Sequence, residues 1–168
     1  MTKARIGISA CLLGINVRYD GGNALNLYLR EELGKLVEFV PVCPEAELGL
    51  GIPREKIRLT GNPQRPRVFT IHTKIDWTEK MEAWAAGRVI SLKKENLRGF
   101  IFKSSSPSCG LEQVKVYDAD EMFQETGAGI FARIFREHFP LLPVAEETNL
   151  LNQALREDFL RSIFAQPV

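Results

Sequence analysis

The sequence predicts an α/β domain built on a mostly parallel sheet flanked by helices. Short apolar runs with the length of buried strands alternate with amphipathic helical stretches along the whole chain. Three of those runs lead into loops that contain a cysteine and a nearby Pro or Gly, at the edge where an open parallel sheet collects its ligands. At 168 residues the chain is long enough for a substantial core, and one domain spanning 1–168 is expected.

The elements follow in order. Residues 4–10 (ARIGISA) form a buried strand, and the Gly-rich polar stretch 11–23 a loop. Over 24–36, Leu25, Leu29, Leu33 and Leu36 recur at helical spacing. Val37 to Val42 is the next strand, stopped by Cys43-Pro44. The Pro- and Gly-rich stretch 44–66 reads as a long ordered loop, and Val68 to Ile71 as a short strand. Residues 76–97 read as a helix capped by Asp76, and Gly99 to Lys103 as a third buried strand. Val114 to Tyr117 alternates weakly, as an edge strand does. Gly127 and Gly129 lead into a helix ending at His138, Leu142 to Ala145 is a strand, and 149–164 closes with a helix.

Composition narrows the function classes. Apolar residues make up 45% and charged residues 26%, which excludes a disordered or collagenous chain. A net charge of +1 announces neither a nucleic-acid nor a membrane-surface protein, and no apolar stretch approaches the roughly 18 residues that span a bilayer. Ile8-Ser9-Ala10-Cys11 imitates a lipoprotein cleavage box, but only five residues separate Arg5 from Cys11, too few for a signal peptide. The expected location is the cytoplasm, with no membrane partner; the oligomeric state is not legible. Three cysteines, odd in number and far apart, argue against a disulfide framework.

Cys11, Cys43 and Cys109 follow the strands 4–10, 37–42 and 99–103, so they can meet in space although 32 and 66 residues separate them. Taken singly, each also reads as a small buried hydrophobe. Three thiolates together suit an iron–sulfur cluster or zinc, and an open ligand position signals chemistry. Neither His72 nor His138 lies in a cysteine motif, and the signatures of a zinc nucleobase deaminase are missing. Glu45, two residues after Cys43, is a candidate general base or a capping glutamate. Ser106 lies three residues before Cys109 in a serine-rich turn. Gly127-Ala128-Gly129-Ile130-Phe131-Ala132 fits a dinucleotide pattern weakly, and a glycine-lined helix start suited to an anion is the safer statement. Arg54, Lys56, Arg58, Arg65 and Arg67 form a basic stretch that can meet phosphates or simply face solvent.

CLLGINVRYDGG (11–22), VCPEAELGLGIPRE (42–55) and FIFKSSSPSCG (100–110) resemble the signature blocks of the TudS-like thiouracil desulfidases, a former domain-of-unknown-function family. ETGAGIFARIF (125–135) and LREDFLRSIF (155–164) extend the resemblance over essentially the whole chain. It implies a Rossmann-like fold and a [4Fe-4S] cluster held by Cys11, Cys43 and Cys109 with one iron open. Glu45 and Ser106 fall on the family's catalytic positions. The implied reaction is non-redox removal of sulfur from thiolated uracil, giving uracil and hydrogen sulfide; the substrate is a free base, a nucleotide or a tRNA. Longer relatives carry a second domain and act on thiolated tRNA. This sequence stops at Val168, so small thiolated pyrimidines are the expected substrates, with at most a weak tRNA contact through 54–67. Two other classes stay open: a metal-free enzyme using Cys11 or Cys109 as nucleophile, activated by Glu45 and Lys103, and a non-catalytic metal or nucleic-acid binding module.

Overall fold

A computed structural model describes residues 2–165; position 1 and positions 166–168 of the expected 1–168 domain lie outside them. The strands are β1 (Ala4–Ser9), β2 (Val37–Val42), β3 (Ile57–Thr60), β4 (Arg67–Thr70), β5 (Leu97–Phe102), β6 (Val114–Tyr117), β7 (Phe123–Gly127) and β8 (Val144–Glu146). The helices are α1 (Gly34–Leu36), entered through a wide π-wound segment Tyr28–Leu33, then α2 (Pro44–Leu48), α3 (Thr78–Lys93), α4 (Ile130–His138) and α5 (Gln153–Phe164). One sheet has the order β2-β1-β5-β8 and is parallel throughout. The second, β4-β3-β6-β7, is mixed: β3 and β6 run parallel, and each outer pair is antiparallel.

The parallel sheet is buried on both faces, as crossover helices require. Period-two alternation divides β5 between two cores. Phe100 and Phe102 face a cluster shared with α3, α4 and the second sheet, while Ile101 faces Ile6, Ile8, Leu29, Leu33, Phe159 and Ile163. Phe100 stacks on Phe102 with ring centroids 4.2 Å apart and meets Phe135 at 4.8 Å. Each fully buried ring is worth roughly 1.5–3 kcal/mol of transfer free energy. Gly7 makes this packing possible, since a Cβ there would lie 2.2 Å from the Phe100 ring.

Several elements depart from expectation, each for a local reason. The first helix starts after 26 rather than at 24, because the Ala24 and Asn26 N–H groups donate to the carbonyls of Cys11 and Leu12, both at 2.9 Å. Asn26 Oδ1 then accepts from the Leu29 N–H. Leu29 and Leu33 are buried, but Leu25 and Leu36 are exposed. The stretch 44–66 is not simply loop: Pro44 opens α2, and Ile57 and Leu59 face inward from β3. The helix expected over 76–97 ends at Lys93, and Asn96 adopts a left-handed φ of 50° that turns the chain into β5. The cap position is Trp77 rather than Asp76, although Asp76 Oδ1, one residue earlier, accepts from the Thr78 N–H and hydroxyl. The stretch 114–117 is an interior strand rather than an edge, because β7 pairs outside it; four of the five β7 residues are exposed, so no apolar alternation marks it. Among the described residues no helix is long and apolar enough to cross a membrane.

Candidate active site

The order β2-β1-β5-β8 places a topological switch between β1 and β5, whose following connections leave toward opposite sides of the sheet. A crevice therefore opens beyond their carboxyl ends. Here the Lys103 N–H donates to Ser9 Oγ at 2.9 Å, tying the two exits together. The resulting cavity, of about 290 Å³, is lined by Cys11, Cys43 and Cys109 together with Glu45, Arg54, Lys103, Ser106 and Ser108. Its volume lies at the lower end of small-molecule sites, roughly 300–1,000 Å³.

Each cysteine is delivered by its own strand. Cys11 lies in the single 3₁₀ turn after β1, and its carbonyl accepts from the Gly14 and Ala24 N–H groups. Cys43 bridges β2 and α2; its N–H donates to Glu47 Oε2, and its thiol points at the Val17 carbonyl, 3.8 Å away. Cys109 ends the serine turn after β5, its N–H donating to Ser106 Oγ at 3.0 Å. All three are free thiols, with Cys11 and Cys109 buried. Burial pushes the Cys11 thiol up to about 11, reinforced by Cys43. It raises Cys43 as well, and Cys109 further still, with both other thiols adding to the shift. Such thiols are poor nucleophiles by themselves at neutral pH, which counts against the metal-free reading. A bound cation reverses that balance and deprotonates its thiol ligands. Among the described residues no group of three or more His, Cys, Asp or Glu side chains could hold a metal ion. An iron–sulfur cluster makes a different demand, since it spreads its thiolates over separate irons. Three free thiols lining one cavity suit that group.

The polar residues connect in a way the sequence does not reveal. Glu45, on α2, accepts from Arg54 Nε at 2.9 Å through Oε2 and from Ser108 Oγ at 3.0 Å through Oε1. Ser106 lines the cavity but reaches Glu45 only through Ser108, whose hydroxyl lies 3.1 Å from its own. No local sequence pattern marks Ser108 or the clamping role of Arg54. The same holds for Glu147, which accepts from Lys103 Nζ at 2.6 Å, from the Ser104 N–H at 2.7 Å and from the Ser104 hydroxyl at 2.8 Å. It holds the start of the serine turn from the end of β8. The one available signal was position, because 146–147 lies at a fourth strand exit on the same edge.

Two stretches take other roles. Gly127 ends β7, so the glycine pair does follow a strand, but the start of α4 is already occupied by protein. The Gly129, Ile130 and Ala132 N–H groups donate to the carbonyls of Gly110, Pro107 and Ser108. Gly129 is required for this contact, since a Cβ would lie 2.4 Å from the Ser108 carbonyl carbon. The glycines thus support the Cys109 turn rather than an anion. In the basic stretch, Arg54 is committed to Glu45. Arg58 pairs with Glu121 and lies over the Tyr117 ring at 4.4 Å, Arg67 pairs with Asp76, and Lys56 lies over the Tyr19 ring at 4.6 Å.

Comparison with known proteins agrees with this geometry. A family model described as 2-thiouracil desulfurase matches residues 6–147. The uncharacterized protein YbbK of Bacillus subtilis (strain 168) is 31% identical over 140 residues, covering 77% of this chain and 88% of its own. A solved structure described as the [4Fe-4S]-dependent thiouracil desulfidase TudS is 29% identical and superposes with a TM-score of 0.72, covering 93% of this chain and 99% of its own.

The contact at Gly129 yields a direct test. Gly129→Ala must displace backbone of the Cys109 turn and is expected to destabilise the protein by about 1–3 kcal/mol in denaturant unfolding. Gly87→Ala, on α3 where nothing lies within 4 Å, is expected to be neutral or mildly stabilising. Equal stability of the two variants would contradict the close contact.

Proposed function

Because the chain belongs to the 2-thiouracil desulfurase family, we propose that it is a [4Fe-4S]-dependent, non-redox desulfidase converting thiolated uracil to uracil and hydrogen sulfide. The observation that carries this reading is the meeting of three strand-end thiols, Cys11, Cys43 and Cys109, around one cavity that Glu45 also lines. These thiols would hold the cluster, with one iron left without a protein ligand. When bound, the cluster supplies Lewis acidity toward the soft sulfur of a thiocarbonyl group.

The chain's own residues then have defined tasks. The reaction is a hydrolysis: water oxygen bonds to the ring carbon, the carbon–sulfur bond breaks, and both water protons leave with the sulfide. No electron is gained or lost. Glu45, acting through Oε1, takes the first proton from the attacking water, a role typically worth about 10²–10⁴ in rate. Ser108 holds that oxygen, and Ser106 directs a hydroxyl toward the ring or the departing sulfur. The cavity walls orient the pyrimidine and limit competing water.

Glu45→Gln preserves size and hydrogen bonding while removing the base. Iron content should survive, and turnover of 2-thiouracil should fall by about 10² or more. Wild-type turnover in that variant would remove the assigned role. Substrate size is tested by salt. Thiolated tRNA docked through 54–67 would lose affinity steeply as salt rises, in proportion to the phosphates neutralised, whereas a base carries none. Pairing of Arg58 and Arg67 with acidic partners supports preference for small substrates. Tight, salt-sensitive binding of thiolated tRNA would overturn it.

A further inference from the structure

The Arg54 side chain is 5% exposed and its partner Glu45 14%, so this ion pair lies almost wholly inside the protein. Arg54 Nε donates to Glu45 Oε2 at 2.9 Å, and Nη2 lies 2.8 Å from the same oxygen in the ion pair. Nη2 donates to the Val17 carbonyl at 2.7 Å, and Nη1 to the Gly51 carbonyl at 3.0 Å. The Arg54 backbone N–H donates to the Tyr19 carbonyl at 2.7 Å. One guanidinium thereby joins α2, the 49–54 turn and the loop that follows Cys11. Three of its five N–H groups donate in these hydrogen bonds, all to protein acceptors.

We infer that Arg54 is a positioning residue for the reaction: it fixes the Glu45 carboxylate through Oε2 so that Oε1, on the Ser108 side, is the oxygen that acts. Free glutamate side chains rotate about three bonds and present either oxygen. Here the Nε–H donor and the Nη2 contact of the ion pair hold one oxygen, and Ser108 Oγ marks the direction of the other at 3.0 Å. Lysine cannot reproduce the arrangement, because a single ammonium nitrogen lacks the planar fork that spans Glu45, Val17 and Gly51 together. The inference rests on Glu45 acting as the base.

The experiment is a double-mutant cycle of Glu45→Gln and Arg54→Gln in anaerobically reconstituted protein, with kcat, KM and iron content measured on 2-thiouracil. The same cycle run with Arg54→Lys retains the stem and the charge in case the glutamine variant does not fold. Displacement of a catalytic group by about 1 Å costs on the order of 10² in rate, so kcat of Arg54→Gln should fall by about that factor. KM and iron content should stay near wild type, and lysine should restore little. Because Arg54 acts through Glu45, the double variant should be no slower than Glu45→Gln alone. Losses that multiply, a raised KM with unchanged kcat, or loss of iron from both Arg54 variants would each overturn the inference. Full turnover in Glu45→Gln with reduced turnover in Arg54→Gln would instead remove the base itself, a separable failure.

Discussion

Three thiols around one small cavity, two of them buried and one half-buried, are the constraint on which the rest of the structure depends. Desolvation alone raises each of them, and proximity adds repulsion between any that ionise. Burial therefore favours the neutral form of each thiol. In the proposed reading, a metal cluster would take the same three thiols as its ligands, in their deprotonated form. The surrounding elements are arranged to keep these sulfurs in place. The carbonyl of Cys11 anchors the chain at Gly14 and Ala24, Ser106 holds the Cys109 N–H, and Glu147 holds the entry to the same turn.

The support of the Cys109 turn illustrates how a fold spends its special residues. A helix N-terminus with nearby glycines has the donors to bind an anion, yet at α4 those donors face the carbonyls of Pro107, Ser108 and Gly110. The glycine at 129 permits backbone-to-backbone approach that any side chain would block. The polarity of the helix is used to fix a loop, and the loop presents Cys109, Ser106 and Ser108 to the cavity.

Much of this was legible from the chain alone. The parallel strands 4–9, 37–42 and 97–102 are apolar and bounded by turn residues, so both their existence and the shared edge of the three cysteines follow from local pattern. The strand Phe123–Gly127 was invisible, because an exposed outer strand has no apolar alternation to show. The helix boundary near 26 depends on hydrogen bonds back to Cys11 and Leu12, which no local window contains. Long-range ion pairing was equally hidden. Arg54 and Arg58 belong to one basic run in sequence, yet one is buried on Glu45 and the other meets Glu121, 63 residues away. Ser108 and Glu147 escaped notice for the same reason, since their importance lies in partners that only the folded chain brings near.

The most direct test of the account is the iron and acid-labile sulfide content of anaerobically purified and reconstituted protein, measured beside Cys11→Ser, Cys43→Ser and Cys109→Ser. The account predicts about four irons per chain in the wild type, with a marked loss of cluster and of desulfidation in each serine variant. Full desulfidation by iron-free protein, or an undiminished cluster in any of the three variants, would contradict it.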